Sequence, residues 1–119
     1  MRASQVRTRF YQHMLGLFER WDVLALPVAQ TWPFAIGERW PQRIGDRMMD
    51  TYHRWMEVTI YATLAGLPAL SVPAGFHPQH GWPMGLQLVA RHGADDFLLR
   101  VAAGYEALRP DFLALQPPQ

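Results

Sequence analysis

The sequence predicts an α/β fold: a partial mixed sheet of about three strands with helices packed on it, in the order α-β-α-β-β-α. Three observations carry that prediction. Three stretches repeat apolar residues at three- and four-residue spacing, the mark of a helix with one buried face. Three short apolar runs are closed by proline or glycine, as strands are. The chain has 119 residues, 50% hydrophobic and 18% charged, which suits one small globular domain over 1–119 rather than a disordered chain.

The first helix is expected to start at Ser4 as its N-cap and to bury Val6, Phe10, Met14, Leu17, Phe18 and Trp21. Asp22 then leads into Val23-Leu24-Ala25-Leu26, closed by Pro27. A run without alternation suits a strand buried on both faces, as in the parallel part of a sheet. Residues 28–45 read as a long loop punctuated by Pro33, Gly37, Pro41 and Gly45, with Trp32, Phe34, Ile36 and Trp40 between them. A loop of that length is usually functional or packed onto something.

A second helix is expected from about Asp46 to Ala65, with Met48, Met49, Tyr52, Met56, Thr59, Ile60, Thr63 and Leu64 on its broad apolar face. Gly66 stops it, and Pro68 forbids continuation. Ala69 to Val72 reads as a strand ended by Pro73-Ala74-Gly75. After a turn through Pro83, Met84 to Ala90 reads as a third strand that pairs antiparallel with the second. The last helix begins at Gly93 or Asp95, buries Phe97, Leu98, Val101, Ala102, Tyr105 and Leu108, and stops at Pro110. Residues 110–119 are expected to form a loose tail.

The inventory excludes much. There is no cysteine, so no disulfide, thiol nucleophile or Cys-ligated metal. All 11 basic residues are arginine, so lysine chemistry is excluded within this chain. A net charge of +1 gives no general attraction to nucleic acid or anionic membrane. No run approaches the roughly 18 apolar residues of a membrane span, and the opening residues lack the apolar core of a secretory signal. The expected location is cytoplasmic.

Few residues qualify as chemical groups. Ser71, between Leu70 and Val72, is not in the strand–turn–helix setting of a nucleophile elbow and reads as a small polar residue hydrogen-bonded within a sheet. His77, His80 and His92 could ligate a metal, but a proline-containing turn does not aim two rings at one ion, so a solvated turn is favoured. Asp95 and Asp96 read as caps of a helix N-terminus. Trp21, Trp32, Trp40, Trp55 and Trp82 read as packing residues of a core or interface. No catalytic, cofactor-binding or metal residue is assigned, and no cofactor is expected.

The stretch Gly66-Leu67-Pro68-Ala69-Leu70-Ser71-Val72-Pro73-Ala74-Gly75, followed by Gly81-Trp82-Pro83-Met84-Gly85-Leu86-Gln87-Leu88-Val89-Ala90, resembles the C-terminal end of the amidase signature family. Both blocks match that family's spacing. Asp22 to Val28 resembles its buried strand ending in proline, and Asp95-Asp96-Phe97-Leu98-Leu99 resembles its last helix. The resemblance covers the chain from about Arg7 to Leu108. It implies hydrolysis of a carboxamide by a Ser–cis-Ser–Lys triad with a backbone oxyanion hole. The segment carrying that triad lies upstream of anything resembled here, so no catalytic role transfers to this chain. The family commonly has Asn where Thr63 stands, and its glutamine-handling members carry an acidic residue where His80 stands, which argues against glutamine as the substrate.

The resemblance leads to a C-terminal amidase segment that completes the sheet and walls the substrate cleft. Such a segment could be an expressed fragment, a truncated gene product or one piece of a split chain. Its expected partners are the missing N-terminal amidase portion or further copies of itself, with a small-molecule amide bound only in the complete enzyme. A self-associating, non-catalytic domain is the rival. The isolated segment is itself expected to be a homo-oligomer, most simply a two-fold dimer burying some of Trp32, Phe34, Trp40 or Trp55, because the remainder of the fold would otherwise cover those surfaces. A metal hydrolase using His77, His80 and His92 is a weaker third.

Overall fold

The structure is a computed structural model and describes residues 2–114. Helix α1 spans Arg2–Phe18 and strand β1 Val23–Pro27. A small hairpin follows, β2 (Arg43–Ile44) and β3 (Arg47–Met48), then a 3-10 turn over Tyr52–Met56 that runs into α2 (Glu57–Ala65). Strands β4 (Ala69–Phe76) and β5 (Pro83–Ala90) form the main hairpin. Helix α3 (Asp95–Leu108) and a short α4 (Pro110–Leu113) complete the described chain. The main sheet has the order β1-β5-β4, with both neighbouring pairs antiparallel. Among the described residues, no helix is long and apolar enough to cross a membrane.

The α/β class and the pairing of the last two strands match the expectation from sequence. The apolar run at β1 differs from it. Every strand pair in the main sheet is antiparallel, and β1 lies at an edge with no fully buried residue. Continuous apolarity reports that both faces meet other residues, and it does not fix the direction of the neighbour.

Register places the two faces. Val72, Leu88 and Ala90 pack beneath α3 with Ala94 and Leu98, and Leu98 is 2% exposed. On the other face, Val89 meets Met14 of α1, Ala62 and Ala65 of α2, and Leu67, with Leu24 packed against them. The periodicity of α1 and α3 thus faces the sheet from opposite sides.

Helix α2 ends in a glycine cap. Gly66 has φ +64°, and the bonds Leu67 N–H to Ala62 O (3.0 Å) and Gly66 N–H to Thr63 O (3.2 Å) close the last turn. Pro68 O then accepts from Ala90 N–H at 3.1 Å, which seats β4 against β5.

Several boundaries differ from expectation. Helix α1 begins before Ser4, whose carbonyl accepts the Thr8 hydroxyl (3.1 Å), so Ser4 is not its cap. Val6, Trp21, Phe97 and Leu108, expected inside, are exposed. The segment from Asp46 is not helical until the 3-10 turn. Gly45, at φ +56°, lets the chain reverse, and Arg43 and Ile44 pair with Met48 and Arg47. Strand β4 continues through Pro73 to Phe76, with a register shift between Pro73 and Gly75. An edge strand tolerates proline because one side of its backbone has no ladder to fill. Arg109 ends α3, and Pro110 starts α4 instead of a loose tail; residues 115–119 lie outside the described part.

Candidate functional site

The loop after β1 builds an apolar cleft at the start of β5. Val28 N–H donates to Gly85 O (3.1 Å), which carries the chain past the start of β5 before it turns away. Trp32, Pro33 and Phe34 then fold back over Val28, Met84 and Gly85, and Trp55 closes the side. They enclose an apolar cleft of about 210 Å³. Phe34 meets Trp55 edge-on at 5.6 Å between ring centroids, Tyr52 meets Trp55 at 6.2 Å, and Trp40 meets Tyr52 at 5.7 Å. The aromatic loop therefore packs on the 3-10 turn, a partner that its sequence did not reveal.

Gly85 is required by close approach. A Cβ there would lie 2.6 Å from Ser71 Oγ and 2.8 Å from Val28 Cγ1. Ser71 thus occupies the space beside Gly85 on an exposed part of the sheet.

Two glutamines fix the cleft to α2. Gln30 Oε1 accepts from Val58 N–H (2.9 Å), one of the donors that a helix start leaves free, and Gln30 Nε2 donates to Arg54 O (3.3 Å). Gln87, buried in β5, donates from Nε2 to Val58 O at 3.2 Å. Arg54 holds Asp50 through two bonds (2.8 and 3.1 Å) and Glu57 through one (2.7 Å). That hydrogen bonding from Arg54 keeps the Asp50 carboxyl below its ordinary pKa, and the two carboxylates push the guanidinium pKa up. Sequence reasoning singled out neither Gln30 nor Gln87 for this role. Gln87 lay in the second glycine–proline block, but its signal was a pattern match without a physical function. Trp40 and Trp55 each bury an indole N–H without a partner among the described residues.

The β4–β5 turn forms the rim. His77, His80 and Trp82 pack as a stack, with His80 on Trp82 at 4.3 Å and His77 against His80 at 4.7 Å. Trp32 of the cleft meets His77 edge-on at 4.9 Å. His77 Nδ1 accepts the N–H groups of Gln79 and His80 (3.2 and 3.3 Å), so its neutral form carries its proton on Nε2. The turn is thus an aromatic stack and not a simply solvated loop. His92 lies at the other end of β5, where its Nδ1–H donates to Gly66 O (3.1 Å), so the three histidines do not converge. Among the described residues, no three His, Asp or Glu side chains are placed to hold a metal ion.

The two aspartates are also placed differently from expectation. The N-cap of α3 is Ala94, with no side-chain cap bond, and Asp96 pairs with Arg100 one turn on. Asp95 and Asp96 complement the helix dipole from the first turn, but they are not its caps.

A family model described as Amidase matches residues 1–99. The chain is 37% identical over 106 residues to the A subunit of glutamyl-tRNA(Gln) amidotransferase from Dehalococcoides mccartyi, covering 89% of this chain and 20% of that protein. It is 42% identical over 105 residues to the corresponding amidotransferase protein of Acidothermus cellulolyticus, covering 88% of this chain and 20% of that protein. Among solved structures, a bacterial aryl acylamidase of the amidase signature family superposes with a TM-score of 0.79 at 27% identity, over 96% of this chain and 24% of that one. The chain spans about a fifth of the length of the curated relatives it matches. It belongs to the amidase signature family.

Proposed function

We propose that this chain serves a carboxamide-hydrolysing enzyme as one wall of its substrate cleft, with the bond-breaking groups supplied by the remainder of an amidase body. The aromatic cleft over Gly85 is the observation that carries this reading. It is an apolar cleft beside the hairpin that the family pattern marks, and the residues that line it include no nucleophile–base pair. The residue inventory agrees, because an activated serine needs a base and the chain has no lysine. The matched relatives are about four to five times longer than this chain, which leaves room for those groups elsewhere.

The cleft suits an apolar or aromatic amide better than a polar one. Its size is comparable with the apolar cavities of roughly 150 Å³ that hold a benzene ring. Its walls are Trp32, Phe34, Trp55 and Met84, and the rim carries His80 in place of an acid. That favours a substrate of the aryl acylamide kind over glutamine, although the amidotransferase relatives are more similar in sequence.

The test is a hybrid in which this chain replaces the equivalent C-terminal segment of the bacterial aryl acylamidase. The hybrid should hydrolyse an anilide, and Ala29→Trp, which fills the cleft, should raise KM with the fold intact. A folded hybrid whose kinetics ignore Ala29→Trp would contradict the reading. A second reading, self-association without catalysis, draws on the exposed apolar groove of Val6, Phe10, Tyr61 and Leu64 between α1 and α2. Light scattering on the chain alone separates the two, because a stable dimer burying that groove favours the second.

A further inference from the structure

The β4–β5 turn is held through one residue. His77 N–H donates to Trp82 O (2.8 Å), and His77 O accepts from Gly81 N–H (2.9 Å). Its side chain adds two more bonds. Nδ1 accepts the N–H groups of Gln79 and His80 (3.2 and 3.3 Å), much as an Asn or Asp side chain holds a turn. The same ring, half-buried, also reaches out of the turn. It meets Trp32, a wall of the cleft, edge-on at 4.9 Å between centroids. His77 is thus the contact that turn and cleft share.

The two amide bonds require a bare nitrogen. A proton on Nδ1 makes a third donor where two already point, so the protonated ring cannot keep its place. An imidazolium gains from an indole face, but beside Trp32 it would need the orientation that the two amides then forbid. Histidine is the side chain whose ordinary charge change falls between about pH 5 and 8. Charge nearby is sparse. The turn 76–83 and the loop 28–35 carry no Asp, Glu or Arg. His80, stacked on Trp82 and 4.7 Å from His77, is the other titratable group there, and a charge on both rings would add repulsion. At the base of the turn Phe112 of α4 packs on Phe76, and Arg109, over Phe112, pairs with Asp111 at 2.9 Å.

We infer that His77 is a positioning residue of the cleft: its neutral ring fixes the turn and Trp32 together, and protonation releases both. This deepens the reading of the cleft as a substrate wall and rests on it. The proton acts on the shape of the cleft, so it moves substrate binding and not the bond-breaking step. A substrate that fills the cleft therefore binds less well in acid.

Two substitutions separate the ring from its nitrogen. His77→Asn keeps an acceptor for the two amides and takes up no proton in this range, whereas His77→Phe keeps a ring for Trp32 and loses the acceptor. NMR of the chain alone is the first test. From about pH 8 to 5, the Gln79 and His80 amides and the Trp32 indole should shift together, at the midpoint of the His77 ring. In His77→Asn, where His80 still titrates, the same two amides should stay still. Movement of the same size there would assign the effect to His80 and overturn the inference. So would a His77 ring that titrates while Trp32 and both amides stay still. The second test is KM in the aryl acylamidase hybrid. Over the same range, KM for an anilide should rise about fivefold, the weight of one ordinary hydrogen bond, with no matching loss of kcat. That rise should vanish in both variants, and His77→Phe should hold KM high throughout. A hybrid whose KM responds to Ala29→Trp but keeps one pH profile with and without His77→Asn overturns the inference and leaves the cleft reading standing. A KM indifferent to Ala29→Trp overturns the cleft reading, and the inference with it.

Discussion

The two faces of the main sheet differ in how far they are finished. The α3 face is closed: Val72, Leu88, Ala90 and Leu98 are almost wholly buried and pack with one another. The α1–α2 face buries Val89 and Gln87 of β5 but not the β4 residues opposite them. Ala69 and Ser71 share that face by register and are exposed, and Tyr61 and Leu64 present apolar surface from α2. One face is a self-sufficient core, and the other leaves apolar surface exposed. The family's activity therefore does not have to reside where the core is best packed. The cleft lies away from the α3 core.

The sharpest way to break this contrast is to empty the closed face. Leu98→Ala should cost about 3 kcal/mol, because the site is fully packed and a cavity adds to the lost transfer energy. A denaturant midpoint that barely moves would show that the α3 face is looser than it looks. Next in size is Gly85→Ala, whose new Cβ would lie within 3 Å of Ser71 Oγ and Val28 Cγ1. Overpacking of this kind costs about 1–3 kcal/mol, and pairing it with Val28→Ala should recover part of that loss. Tyr105→Phe should cost about 1 kcal/mol, through the bond to Pro73 O that ties α3 to β4.

The open face should respond weakly in isolation. Tyr61→Ser and Leu64→Ser should stay within about 0.5 kcal/mol in the chain alone, as exposed positions do. The same changes should weaken any assembly that covers the groove, and urea melts with and without the partner segment separate the two effects. The smallest effect concerns Asp50. Its folded pKa is depressed by Arg54, so the pair stabilises above the ordinary carboxylate range and is lost as pH falls through the folded value. Asp50→Asn should flatten the acid limb of a melting-temperature profile slightly, since the pair is exposed.

The sequence made the closed half legible and the cleft half much less so. Gly66 with Pro68, and Gly81 with Pro83, punctuate the chain where α2 ends and β5 begins, because each constrains the backbone by itself. The period of α3 was readable because a single face meets the sheet. Around 43–56 the signal misled. Met48, Met49, Tyr52 and Met56 fall at helical spacing, yet Met49 is buried while Met48, in a two-residue strand, is exposed. Strands that short leave no periodicity to read. The glutamine clamp was invisible for another reason: Gln30 and Gln87 act on Val58, 28 and 29 residues away, and no local pattern records such a contact.

The central claim is that this chain scaffolds an amidase and does not cut amides by itself. The most direct measurement is the rate of anilide hydrolysis by the purified, folded chain alone. The structure predicts no turnover above the uncatalysed rate, with Ser71→Ala indistinguishable from the unmodified chain. A measurable rate that disappears in Ser71→Ala would contradict the account, because it would place the nucleophile on an exposed strand.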